Sequence, residues 1–433
     1  MPLPVTLRAL HYRNFRLFFA GQLISLIGTW MQNVAQAWLV YRLTGSAVLL
    51  GAAGFSAQIP VFLLAPVGGV VADRYSRHRL VIATQTASML LAFALAALTL
   101  SGAVRVWHIF ALSALLGVVN SFDIPARQAF IVGLVAKADL MNAIALNSSM
   151  FNASRVVGPA IAGILVAGIG EGWCFFANGA SYIAVIAGLL LMRVARHEPA
   201  AQQGSPLSRM AEGFRFVIEH PPVHALLVLL GVVSLTGMPY AVLMPIFAHR
   251  ILHGGARALG LLMGSTGVGA LAAALTLASR RDLKGLGRWV AFAALGFGAG
   301  LVAFSFSRIF WLSAAILALC GFAMMIQMGS SNTLIQSMSP DRLRGRVMSV
   351  YSMMFMGMAP FGALLAGAVA DRLGAPFTVA GGGVISMLAS SIFWIWWPQI
   401  RVSARKLIVA QQMAGGDPPQ EMTGGSVELE PEE

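Results

Sequence analysis

Long apolar runs separated by short polar connections dominate this sequence and leave it few possible folds. They fall at 15–40, 47–72, 80–100, 107–122, 146–168, 173–192, 224–247, 259–279, 289–306, 309–329, 347–370 and 377–397. Most approach or exceed the roughly 20 residues that a helix needs to cross a hydrocarbon layer of about 30 Å. They lack the period-two alternation of a barrel strand, so the predicted spanning element is the helix, which satisfies its backbone polar groups internally. With 58% hydrophobic and 10% charged residues over 433 positions, the chain has too little polar surface to enclose a soluble core of this size. The predicted fold class is therefore an all-α polytopic membrane protein with twelve transmembrane helices. Its 46 glycines suit helices that pack closely in lipid.

A net charge of +13 would suit a nucleic-acid partner, but the placement of the charges argues against one. If the termini and the connections after even-numbered spans lie on one side, the other side holds only Arg42, Arg105, Arg250, Arg257, Arg308 and Arg372. Arg155 falls inside a span, and the rest of the 29 basic residues share the side of the termini. That asymmetry predicts cytoplasmic termini. Cys174 and Cys320 lie in or beside spans, so no disulfide framework is expected. The first run carries Gln22, Gln32 and Asn33 without a convincing small-residue cleavage site after it, and reads as a retained helix.

The longest internal connection divides the spans six and six. The expected units are an N-terminal bundle at 1–192, a cytoplasmic linker at 193–223, a C-terminal bundle at 224–400, and a cytoplasmic, largely disordered, acidic-ended tail at 401–433. Within the linker, Leu207, Met210, Phe214 and Val217 follow Ser205-Pro206 at helical spacing. An amphipathic helix on the inner membrane surface and a plain tether are both compatible with that pattern. A weak repeat relates the halves. Asp139-Leu140 precedes Gly158-Pro159 and Gly163, much as Asp341-Arg342-Leu343 precedes Ala359-Pro360 and Gly362. Two related six-helix bundles with a site between them at mid-membrane depth form a transporter architecture.

The connection after the second span reads Gly69-Val70-Val71-Ala72-Asp73-Arg74-Tyr75-Ser76-Arg77-His78-Arg79. It resembles the signature of the major facilitator superfamily between its second and third helices, with Ser76 in place of a glycine and His78 in place of a basic residue. The resemblance implies a gating cluster. Gly69 would permit close helix approach, and Asp73 would face the positive N-terminal end of the eleventh helix. Asp123, at the end of the fourth helix, would pair with Arg74 or Arg77. Breaking and remaking such a cluster would bias one access state against the other.

The stretch from Asp123-Ile124-Pro125-Ala126-Arg127 through Asn152-Ala153-Ser154-Arg155 to Gly163 resembles the transmembrane secretion effector branch of that superfamily, which includes enterobactin exporter-like and macrolide efflux-like proteins. Gly158-Pro159 followed by Gly163 resembles the helix-5 antiporter motif, with Ser154 and Ala162 where glycines are usual. The resemblance implies a monomeric secondary transporter of the bacterial cytoplasmic membrane. It would export a small amphipathic molecule, siderophore-like or drug-like, by alternating access in exchange for protons and without a cofactor. Uptake by symport and lipid flipping are the alternatives on the same fold.

Several residues are candidates for the transport path. Gln22, Ser25, Thr29, Asn33 and Gln36 recur at spacings of 3, 4, 4 and 3, which places them on one face of the first helix. That face predicts a lining for a central cavity, with interhelical hydrogen bonding as the alternative. Gln327, Ser331 and Asn332 suggest a similar contribution from the tenth span. Arg155 lies about 14 Å into the fifth run, where a charge costs at least about 2–3 kcal/mol. It either attracts an anionic or carbonyl-rich part of a substrate or holds backbone carbonyls of its neighbours. On this topology no carboxylate or histidine reaches mid-membrane, which leaves Asp123 as the best proton carrier. Gly367 to Arg372 repeats the Gly-x-x-x-Asp-Arg pattern but falls on the outer side, so no gating role is expected of it. A membrane enzyme would need clustered catalytic residues, and ATP-driven transport a phosphate-binding loop; neither pattern is present.

Overall fold

The computed structural model describes residues 5–193, 206–280, 283 and 285–415, and among these no strand occurs. The first half comprises α1 (Arg13–Thr44), α2 (Ala47–Arg74), α3 (Arg77–Leu100), α4 (Val106–Val132), α5 (Leu140–Ile169) and α6 (Glu171–Leu190). A connecting helix, α7 (Pro206–Glu219), leads to the second half. There the first span joins α8 (Pro221–Val232) and α9 (Tyr240–Ile246) through a π turn at Val233–Gly237, and a second π turn follows at Phe247–Ile251. Next come α10 (Ala256–Ala278), α11 (Leu286–Phe306) and α12 (Phe310–Met338). The eleventh span joins α13 (Asp341–Ser352) and α14 (Ala359–Leu373) through a π turn at Met353–Gly357, and α15 (Ala375–Gly415) is the twelfth.

Among the described residues, eleven segments are long and apolar enough to cross a membrane. The twelfth is α1, which has ample length at 32 residues but a polar stripe that dilutes its hydropathy. The result is the predicted class, two pseudo-symmetric six-helix bundles. Tight joints fit the local sequence. Gly45 and Gly170 adopt positive φ angles of 61° and 90° where α1 and α5 end. Ser46 caps α2 by accepting from the Leu49 amide at 3.3 Å.

Three boundaries differ from expectation. The fourth span does not stop at 122; α4 runs through Pro125 to Val132, because a proline inside a packed membrane helix is tolerated when neighbours satisfy the freed backbone. The fifth begins at Leu140, which puts Arg155 at the centre of a 30-residue helix. The tail expected from 401 is helical as far as Gly415, and Ala404 and Ile408 are buried; residues 416–433 lie outside the described set.

The linker contains the amphipathic helix, but its buried face is packed onto the second half. Phe216 and Val217 are buried, Glu212 pairs with Arg346, and a Cβ on Gly213 would sit 2.7 Å from the Arg346 carbonyl oxygen. The side chains of Leu207 and Met210, and residues 194–205, lie outside the described set.

Two seams of small residues hold the halves together. Where α2 meets α14, a Cβ on Gly51 would lie 2.4 Å from the Ala363 carbonyl oxygen, and one on Gly367 would lie 2.7 Å from that of Ala47. Where α5 meets α10, a Cβ on Gly260 would lie 2.4 Å from the Pro159 carbonyl oxygen. These contacts sit toward the end of the bundle opposite the termini. At that end Tyr41 also meets His249 at 3.1 Å, and Arg250 donates to the Gly45 carbonyl at 3.3 Å. Nearer the termini, the first turns of α5 leave Met141, Ile144, Ala145, Ser148 and Ser149 exposed. The α5–α10 glycine contacts begin only at Arg155.

Candidate functional site

Arg155 occupies the junction of the halves. Its guanidinium carbon stands 5.7 Å from the centroid of the Trp30 ring on α1, and its charge couples to Tyr240 on α9. Stacking on an indole stabilises a desolvated cation by about 0.5–2 kcal/mol, less than the cost of holding one at mid-membrane. Among the described residues Arg155 has no ion pair and donates no hydrogen bond to a backbone carbonyl. The carbonyl-holding alternative therefore has no contact to support it, and the arrangement suits an anionic or carbonyl-bearing guest.

Neighbouring motif residues explain how Arg155 is placed. A Cβ on Gly158 would lie 2.5 Å from Trp30 Cβ and 2.8 Å from the Ile27 carbonyl oxygen, so α5 and α1 meet backbone to backbone. Ser154 is fully buried on the same helix. Pro159 and Gly163 press α5 against α10, with a Cβ on Gly163 3.1 Å from the Arg257 carbonyl oxygen. Trp30 is braced edge-on by Phe151, with ring centroids 5.7 Å apart.

The polar stripe of α1 does not act as one surface. Gln22 and Ser25 are buried inside the first half, and Thr29 donates to the Ser25 carbonyl at 3.0 Å. Gln36 donates to Ser113 Oγ on α4 at 2.9 Å. Asn33 alone of the five is exposed; one turn on from Trp30, it shares that residue's helix face. Of the other four, Gln36 bonds to another helix, Thr29 bonds within α1, and the buried side-chain oxygen of Gln22 has no partner. Gln32, outside the stripe, accepts from Asn178 on α6 at 2.7 Å.

The gating cluster is wired differently from expectation. Asp123 is 3% exposed and lies nine residues, about 14 Å, before the end of α4, so it is an internal carboxylate and not a terminal one. Its partners are Arg127 Nε at 3.3 Å, Thr84 Oγ1 at 2.7 Å and Gln85 Nε2 at 2.9 Å. Neither Arg74 nor Arg77 reaches it. Arg74 is exposed at the end of α2, and Arg77 donates to the Ala129 carbonyl at 3.2 Å. The α4 register explains this: Arg127 is one turn from Asp123 and completes the pair within the helix. Gly69 is not the close-approach glycine, since a Cβ there would meet nothing within 4 Å. Gly68 is; a Cβ there would be 1.9 Å from the Ser121 carbonyl oxygen. The Asp73 side chain lies outside the described residues.

In the second half Gln327 is 1% exposed, and its amide nitrogen has no partner; Ser331 is fully buried with an unpaired hydroxyl. Asn332 accepts from Gln336 one turn later. Asp371 and Arg372 are exposed at the end of α14, beside the start of α2 and so opposite the Arg74 end, while Gly367 serves the seam. Among the described residues no group of three or more His, Cys, Asp or Glu could hold a metal. Sequence reasoning missed Trp30, Tyr240, Thr84, Gln85 and Arg127. Gln85, a polar residue inside an apolar run, was the one visible signal among them.

Residues 5–418 match the family described as transmembrane secretion effector. The staphyloferrin A transporter of Staphylococcus aureus is 27% identical over 87% of this chain and 94% of its own length. An enterobactin exporter of Citrobacter koseri is 25% identical over 86% and 89%, and the multidrug efflux pump Tap of Mycolicibacterium fortuitum 25% over 86% and 93%. Among solved structures, the nucleoside transporter NupG superposes with a TM-score of 0.68 at 12% identity, covering 89% of this chain and 98% of that one. A bacterial homologue of the human lysosomal transporter Spinster gives 0.64 at 15% identity, covering 92% and 98%.

Proposed function

Because the chain belongs to the transmembrane secretion effector family of major facilitator transporters, we propose that its efflux cargo is a small amphipathic anion, siderophore-like in chemistry, received by Arg155. The observation that carries this reading is a cation at the junction of the halves, stacked on Trp30 and lacking a counter-charge among the described residues. The names of the siderophore-transporting relatives support it. Residues 1–192 and 224–400 act as the two rocking bodies of a monomer, with both termini in the cytoplasm of a bacterial inner membrane. Packing at the end opposite the termini, with α5 exposed near them, is the arrangement expected of a cavity open to the cytoplasm. Asp123, buried and paired within α4, is the proton carrier of this scheme, and its exchange between Arg127 and a proton would couple export to the gradient. The gating loop Gly69, Asp73, Arg74 and Arg77 closes the cytoplasmic end in the opposite state. The chain performs no catalysis.

Transport into inverted vesicles by Arg155→Lys and Arg155→Gln proteins tests the central claim. A charge-assisted hydrogen bond contributes about 1.5–3 kcal/mol, so the Gln protein should lose roughly 10- to 100-fold in apparent affinity for an anionic cargo while Lys keeps part of it. Transport unchanged from wild type in both proteins at normal membrane levels would defeat the substrate role. Uphill transport that survives collapse of the pH gradient would remove the proton and leave the cargo assignment intact.

A further inference from the structure

We propose that His249 and Arg250 form a clasp holding the two halves closed at the end opposite the termini, and that its release is the step that opens this end for export. The proposal rests on the chain being an alternating-access exporter. Two side-chain hydrogen bonds cross between the halves there, and consecutive residues make both. His249 Nδ1 meets the Tyr41 hydroxyl at 3.1 Å, and Arg250 Nη2 donates to the Gly45 carbonyl at 3.3 Å. The guanidinium carbon of Arg250 also stands 5.9 Å from the Tyr41 ring centroid. The rings of Trp38, Tyr41 and His249 close a triangle, with centroids 5.9, 6.0 and 5.6 Å apart. Two of its corners belong to the first half and one to the second.

The local sequence builds each side of the clasp. Gly45, at a positive φ of 61°, ends α1 and offers a carbonyl that no bond within the helix uses. A Cβ at that position would lie 3.2 Å from Arg250 Nη2, so the guanidinium is seated against the turn itself. On the other side, His249 and Arg250 both fall in the π turn Phe247–Ile251. The regular helix ladder is interrupted there, and helix bends concentrate at such interruptions. The chain then leaves through His253, at a positive φ of 51°. His249 and Arg250 are exposed, so water replaces a lost partner and each bond contributes little net stability. Bonds of that strength hold one state without locking it. Tyr41 is 6% exposed, and separating the halves would uncover it. Its position fits an exit. Tyr41 follows Trp30 by eleven residues, about 16 Å along α1 and within about 20° of the same face. A cargo leaving Arg155 outward therefore meets the ring triangle next.

Pulsed electron-spin distance measurement on the detergent-purified full chain tests this. Labels at Ala103→Cys and Ile309→Cys sit in the connections before α4 and α12, one on each half at this end. Cys174 and Cys320 are buried and take up no label. No cargo is added, so the outcome is independent of the cargo assigned to Arg155. With no further substitution, the short separation should predominate. Tyr41→Phe keeps the three rings and removes one hydroxyl; it should raise the ratio of long to short separations roughly 2- to 10-fold. Arg250→Ala should raise it by a similar factor, and the double variant further than either. Glu171→Gln weakens an ion pair at the same end, with Arg42, that stays within the first half, and it should leave the ratio unchanged. An unchanged ratio in the double variant would overturn the proposal. So would a rise in Glu171→Gln equal to that in Tyr41→Phe, which would assign the effect to the end of α1 alone.

Discussion

The two halves share a fold but not a way of holding it together. In the first half, charges and amides are joined across helices: Asp123 to Thr84, Gln85 and Arg127, Gln32 to Asn178, and Arg42 to Glu171 through two hydrogen bonds of 2.7 and 3.2 Å. Buried polar atoms without a partner occur in both halves, among them those of Gln22, Gln85 and Ser154 in the first and of Gln327, Ser330 and Ser331 in the second, but the three π turns among the described residues all occur in the second. One π turn is stitched to another by Ser234, which donates to the Phe355 carbonyl at 2.5 Å. A π turn weakens the regular helix ladder and is found mostly at functional sites. The contrast teaches that pseudo-symmetry of backbone coexists with a division of labour. The first half ties a buried carboxylate to its neighbours and holds Arg155, while the second has the π turns.

Five substitutions would break or sharpen this contrast. The largest effect is expected from Asp123→Leu, which strands Arg127 and removes the acceptor of Thr84 and Gln85. Losing one partner of a buried pair costs about 3–5 kcal/mol, visible as a marked fall in the thermal unfolding temperature of the detergent-purified protein. Next is Gly68→Ala, whose added methyl would collide with the Ser121 backbone and cost about 1–3 kcal/mol, while Gly69→Ala one residue away should stay within about 0.5 kcal/mol. The same unfolding assay compares them, and equal losses would remove the α2–α4 contact from the account. Glu171→Gln should cost at most about 1 kcal/mol, because its partner Arg42 is half exposed and water screens the pair. Gln327→Leu should be smallest, neutral or slightly stabilising, since the side chain it replaces is buried with an unpaired amide nitrogen. A loss comparable to that of Asp123→Leu would show that the second half depends on polar pairing after all.

Much of the fold was legible because membrane insertion is a local property. Runs of about twenty apolar residues announce spans one at a time, so their number and order followed from the chain. Boundaries were less secure where a proline interrupted a span, as at Pro125 in α4, because its tolerance depends on neighbouring helices. The site was legible in part. Arg155 stood out as a lone charge in an apolar run, but Trp30 and Tyr240, which flank it, look like ordinary aromatic residues of membrane helices. The stripe on α1 was readable only as a spacing, and its members divide between buried and exposed positions. Which of its members meets another helix was not readable, because the partner Ser113 is 77 residues distant from Gln36.

What the sequence determined by itself was the number of spans, the superfamily loop after the second, and a single charge deep in the fifth. These depend on composition within a window and on short motifs. What only the tertiary structure decided was which groups meet: Arg127 and not Arg74 or Arg77 at Asp123, Gly68 and not Gly69 at Ser121, and Asn33 apart from the rest of its stripe. The physical reason is rotation. Successive residues of a helix point about 100° apart, so an offset of one position turns a packed glycine into an open one. Only the packing of neighbouring helices fixes that angle.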